Sequence, residues 1–133
     1  MSTPAAPAPP PHVPKMGQPC YLVTCVDGPG AAELRILHMA THFAHIERHW
    51  QRFITAGPVR APGGGPITGS AFLVLGDTLE EVQALLAHDP YISCGMYASV
   101  EYRELTNAAG LFIGGKIWDD TEDFVRRIAG ATG

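Results

Sequence analysis

The sequence predicts an α+β fold: a four-stranded antiparallel sheet with two helices across one of its faces. Three observations carry that reading. Apolar runs of strand length alternate with stretches of helical period, their order is β-α-β-β-α-β, and Gly- and Pro-rich turns separate them. The first run, CYLVTCV from Cys20 to Val26, is a buried strand closed by the turn Asp27-Gly28-Pro29-Gly30. Residues 31 to about 52 hold no Gly or Pro and predict one long helix, with Ile36, Met39, Phe43, Ile46, Trp50 and Phe53 as its apolar stripe. ITAGPV follows as a short strand broken at Gly57-Pro58, and RAPGGGPITG is a loop too rich in glycine for regular structure. Ser70 to Gly76 gives a second buried strand. Thr78 and Glu81 then stand in capping-box spacing ahead of Leu79, Val82, Leu85 and Leu86, so a second amphipathic helix runs on until Asp89-Pro90. ASVEYREL alternates as a half-exposed strand ending at Leu105. Helices on one face leave the other bare, and a second copy of the chain is its simplest cover, which predicts a homodimer or higher homo-oligomer.

The ends behave differently. Seven of the twelve prolines fall in residues 1–19, where fixed φ and missing N–H groups oppose helix and ladder alike, so this stretch reads as a disordered Pro-rich tail. The domain then spans residues 20–105. Residues 106–133 read as a C-terminal appendage: a turn at Gly114-Gly115, the apolar pair Ile117 and Trp118, and a short helix in DDTEDFVRRIAG. Asp119 or Asp120 would cap that helix, with Arg126 and Arg127 near its C-terminal dipole.

Composition excludes several classes of function. Thirteen acidic residues against nine Lys and Arg give a net charge of −4, the wrong sign for a nucleic-acid surface. No run approaches the ~20 apolar residues of a membrane span, and no basic-then-apolar start marks a secretion signal. A cytoplasmic protein is therefore expected. Cys20, Cys25 and Cys94 form no CxxC pair and are expected as reduced thiols.

The chemistry concentrates in the histidines. His38, His42, His45 and His49 are separated by four, three and four residues, so they share one side of the first helix. With Ile36 at zero, His42 falls at about −120° and His49 at about −140°, bordering the apolar stripe, while His38 and His45 look outward. A border imidazole in a cleft can serve as a general base. His-x-x-x-His spacing also suits zinc, but the Glu of an HExxH pattern is missing, and no metal is expected. Asp89 is held extended by Pro90 and is either a turn acid or the carboxylate that orients a histidine. Spacing alone leaves both open.

From His42 onward, HFAHIERHWQRFITAGP resembles the motif of the YciI-like (YCII-related) family, in which a helix carrying His-Leu-Ala-Tyr-Leu runs into a strand ending Ala-Gly-Pro. Gly69-Ser70, the helix start Thr78-Leu79-Glu80-Glu81, Asp89-Pro90-Tyr91 and Gly95-Met96-Tyr97 follow that family's order, and the similarity covers about Cys20 to Leu105. The resemblance implies a ferredoxin-like α+β domain that dimerises through its sheets into an α+β barrel, with a catalytic pair at His42 and Asp89 and the family's serine at Ser70. The family usually carries an Arg shortly before its histidine. Here Met39, Ala40 and Thr41 stand there, and Arg35 lies a further turn back. The family's Tyr is His45.

One branch of that family removes hydrogen chloride from a chlorinated hydroxyhydroquinone, and related muconolactone isomerases have a similar barrel. The expected function is thus a cofactor-free lyase or isomerase acting on a small aromatic-derived or lactone-like metabolite. His42 and Asp89 would be catalytic, and Ser70, Tyr91, His45 and His49 would touch the substrate. The appendage would either close the cleft, with Trp118 or Phe112 as wall residues, or lengthen the dimer interface. The alternatives are a non-catalytic dimeric module that binds a metabolite or stabilises a partner, and a metal- or haem-dependent oxygenase on the same barrel.

Overall fold

An apolar run rich in β-branched and aromatic residues makes Cys20–Asp27 a strand, β1, whose residues Tyr21, Val23 and Cys25 are buried on one face. The computed structural model describes residues 16–116 together with Glu122, Val125 and Arg126. The run 1–15 and the appendage residues Ile117, Trp118, Asp119, Asp120 and Arg127 lie outside the described residues. The chain divides into two units, Gln18–Leu105 and the stretches on either side of it.

In the larger unit β1 is followed by α1 (Ala31–Leu37), α2 (Met39–His49), a 3-10 turn (Trp50–Arg52), β2 (Phe53–Val59), β3 (Gly69–Leu75), α3 (Leu79–Ala87), α4 (Pro90–Ser93) and β4 (Tyr97–Leu105). The strands form one antiparallel sheet in the order β2-β3-β1-β4. This is a ferredoxin-like α+β fold. Gly69 sits between Val26 of β1 and Val59 of β2, and a Cβ there would collide with the Cys25 carbonyl. The core forms where Tyr21, Val23, Cys25, Phe72 and Val74 meet Val82, Leu85 and Leu86 of α3. Helix α3 starts as its sequence demands: Thr78 Oγ1 accepts the Glu81 N–H at 3.2 Å, and the Glu81 carboxylate accepts the Asp77 N–H at 3.0 Å. No helix among the described residues is long and apolar enough to cross a membrane.

Three local expectations are corrected. The long first helix is two helices meeting at His38, with φ −100° and ψ 10°. The Arg35 carbonyl, whose partner in an unbroken helix would be the Met39 N–H, accepts the Tyr91 hydroxyl at 2.8 Å, and a side chain inserted into the ladder is a known cause of a break. Strand β2 continues through Gly57-Pro58 because it is an edge strand, where a missing N–H removes no ladder bond. The four-residue α4 was not foreseen. Asp89 caps it, accepting the Tyr91 N–H at 3.0 Å, and Pro90 presets its first φ.

The apolar stripe is the larger correction. Ile36, Phe43 and Trp50 are 72%, 58% and 61% exposed, while Arg35 and His45 are buried. With the break at His38, residues of α1 and α2 no longer share one helical wheel, and the polar stripe one residue out of phase turns inward.

In the smaller unit β5 (Ala109–Gly110) and β6 (Gly115–Lys116) pair antiparallel around a 3-10 turn at Leu111–Ile113. Gly114, at φ 85°, makes the left-handed turn between them. Met16 N–H donates to the Ile113 carbonyl at 3.0 Å.

Candidate functional site

Asp89 is the fixed point of the site. Its backbone N–H donates to Leu86 O at 2.9 Å and its carbonyl accepts from Ile92 and Ser93, so the turn between α3 and α4 leaves its carboxyl little freedom. The side chain is fully buried, and its Oδ1 accepts two hydrogen bonds, from Tyr91 N–H at 3.0 Å and from His42 Nδ1–H at 2.7 Å. Oδ2 is buried with no hydrogen-bond donor.

His42 projects from α2 with its ring sandwiched in place. Tyr91 stacks on it at 3.8 Å between centroids and 8° between planes, and Phe43 tilts against it at 5.3 Å. With Nδ1–H committed to Asp89, the tautomer leaves the Nε2 lone pair free to take a proton. His42 lines a cavity of about 270 Å³ between α2 and the β2–β3 edge of the sheet. Met39, Phe43, Ile46, Pro58, Ile67 and Phe72 supply apolar walls, and Arg35, Ser70 and Tyr91 join His42 as the polar ones. That size and balance suit a single-ring organic compound anchored by a few polar contacts.

The remaining residues singled out above divide. Ser70 is at the cavity, buried, with Oγ 2.7 Å from the Tyr97 hydroxyl. Tyr91 is there too, but its hydroxyl is committed to the Arg35 carbonyl, so it offers the cavity a ring face and no free O–H. His45 does not look outward. It is buried under α2, with Nε2–H donating to Leu85 O at 3.0 Å and Nδ1 without a partner. Burial holds its pKa below the ordinary 6.5, which favours the neutral ring. Its ring meets His49 at 4.8 Å, and neither His45 nor His49 lines the cavity. Phe112 belongs to the smaller unit and is 66% exposed. Among the described residues no three His, Cys, Asp or Glu side chains gather as metal ligands.

Two residues that the sequence reading left without a role belong to the site. Arg35 is buried at the cavity wall, clamped by both Asp27 oxygens at 2.8 and 2.9 Å, with its guanidinium 5.8 Å from the Tyr91 ring centre. Its signal was in the spacing: Arg35, His38, His42, His45 and His49 repeat at three and four residues, parallel to the apolar stripe. Tyr97, the partner of Ser70, left no local signal. Its phenol is pushed up to about 12, chiefly by burial, and so stays protonated. Burial likewise pushes the Cys25 thiol up to about 12, with the Asp89 and Asp27 charges adding to it, which removes Cys25 as a nucleophile.

Residues 20–106 match the YCII-related domain. The chain is 30% identical over 90 residues to the protein YciI of Escherichia coli O6:H1, an alignment covering 62% of this chain and 92% of that protein. It is also 30% identical over 87 residues to an uncharacterised protein of Haemophilus influenzae, covering 60% and 89%. Among solved structures, the 5-chloro-2-hydroxyhydroquinone dehydrochlorinase of Burkholderia phenoliruptrix AC1100, in complex with 2,5-dihydroxybenzoquinone, superposes with a TM-score of 0.61 at 25% identity. That match covers 67% of this chain and 95% of the other.

Proposed function

The chain belongs to the YCII-related family, and from that membership and the His42–Asp89 geometry we propose that it is a cofactor-free lyase or isomerase acting on a small ring compound. The observation that carries the proposal is the 2.7 Å bond from His42 Nδ1 to a fully buried carboxylate, with the same ring at the wall of a cavity. Nε2 takes a proton from the substrate, and Asp89 stabilises the imidazolium so formed. In a lyase the electron pair left behind expels an anionic group from the neighbouring carbon. In an isomerase the imidazolium returns the proton to a different atom. The likeness to a dehydrochlorinase favours the first course and a substrate of its class, a chlorinated hydroxyhydroquinone.

A second copy of the chain completes the proposal. It covers the sheet face opposite the helices, where Leu22 and Leu73 are half-buried and Val26 is 55% exposed.

The test follows chloride release from 5-chloro-2-hydroxyhydroquinone by the wild type and by His42→Ala. Turnover should fall by about 10²–10⁴ in the variant. Equal chloride release by the two proteins would remove His42 from the chemistry.

A further inference from the structure

The cavity has a second polar wall that the His42–Asp89 pair does not use. Ser70 Oγ lies on it, and 2.7 Å behind, out of the cavity lining, is the Tyr97 hydroxyl. The direction of that bond decides what Ser70 can offer a ligand. A hydroxyl has one proton, so if Ser70 donates to Tyr97 its hydrogen is spent, and if Tyr97 donates, the Ser70 hydrogen is free for the cavity.

Chemistry favours Tyr97 as the donor. A phenol O–H is far more acidic than an alcohol O–H, so in a close pair of the two the phenol gives its proton and the alcohol oxygen accepts it. Tyr97 is half-buried, and its phenol, pushed up to about 12 chiefly by burial, keeps that proton to give. The bond then runs from Tyr97 to Ser70 and leaves the Ser70 O–H free at the cavity lining.

We propose that Tyr97 is a positioning residue that fixes the Ser70 hydroxyl as a hydrogen-bond donor to the ligand, so that the cavity selects ring compounds bearing an anionic or strongly polarised oxygen. An enolate, a phenolate or a quinone carbonyl meets that description. The proposal rests on the acid–base reading of the same cavity. There, an oxygen held at Ser70 would take up the charge that develops when His42 removes a proton elsewhere on the ring.

The experiment compares binding of two probes by absorbance titration: 2,5-dihydroxybenzoquinone, an anion at neutral pH, and its neutral dimethyl ether, 2,5-dimethoxybenzoquinone. The wild type should prefer the anion. Tyr97→Phe should cut that preference by about tenfold, as should Ser70→Ala, because bonds to a charged acceptor are roughly twice as strong as neutral ones. The double variant should lose no more than either single one, the non-additivity expected of residues acting through one bond. Binding of the dimethyl ether, whose carbonyl oxygens are uncharged acceptors, should fall less in each variant than binding of the anion. A wild type that binds neither quinone would overturn this proposal together with the acid–base reading. A wild-type preference retained by Tyr97→Phe, or additive losses in the double variant, would overturn the role of Tyr97 alone. Should Tyr97→Phe fail to fold, a preference surviving in Ser70→Ala is equally decisive against it.

Discussion

Helices α2 and α3 cover the same face of the sheet and follow opposite rules of burial. In α3 the buried residues are Val82, Leu85 and Leu86, the exposed ones are Glu80, Glu81, Gln83 and the small Ala84 and Ala87, and the first turn carries its own cap. In α2 the buried residue is His45, with His42 nearly so, while Phe43, and Trp50 in the 3-10 turn that follows, are more than half exposed. The N-cap of α2, His38, makes no side-chain cap bond. The first arrangement is what hydrophobic burial produces unaided. The second leaves apolar surface in water and turns imidazoles inward, where each needs a partner: Asp89 for His42 and the Leu85 carbonyl for His45. Under the function proposed above, α2 carries the acid–base chemistry and α3 is its scaffold.

The contrast can be broken from either side. Asp89→Asn is nearly isosteric and retains an acceptor for Tyr91 N–H, yet it removes the charge that supports the imidazolium, so turnover should drop by about 10²–10⁴. A thermal melt should show the fold intact beside that loss. On the scaffold side, Leu86→Ala should lower stability by about 2–5 kcal/mol in a denaturant titration, through a cavity in a fully buried layer.

A smaller effect comes from His45. Its folded-state pKa lies below the ordinary 6.5, so on acidification the unfolded chain binds a proton before the folded one does. Its stabilising contribution is complete above 6.5 and is lost as the pH falls through that value toward the lowered one. His45→Gln keeps a donor for the Leu85 carbonyl and does not titrate. Denaturation midpoints of the variant should therefore fall less steeply below pH 6.5 than those of the wild type. The smallest effect belongs to the outer ridge, where Trp50→Ser should shift stability by no more than about 0.5 kcal/mol.

Legibility in the sequence tracks the same division. β1, β3 and α3 announce themselves because their burial follows from apolar period and local capping, which neighbouring residues encode. The α2 face was misread for a physical reason. The stripe containing Ile36, Phe43 and Trp50 and the stripe containing Arg35, His42 and His45 have the same spacing one residue apart, and hydrophobicity favours the wrong one. The kink at His38 depends on Tyr91, more than fifty residues away, so no local signal marks it. Likewise the meeting of His42 with Asp89 spans 47 positions and was suggested by family resemblance, never by period. The Ser70–Tyr97 pair is set by how β3 and β4 flank β1, a matter of topology that neither segment carries by itself.

One oxygen atom, Oδ1 of Asp89, receives both the N–H that starts α4 and the N–H of the histidine ring. Forming that short turn and holding the histidine ring are consequently one event. In the enzyme proposed above, fraying of those four residues would release the ring while the sheet stayed paired, and turnover would then fade along a gentler temperature course than global melting.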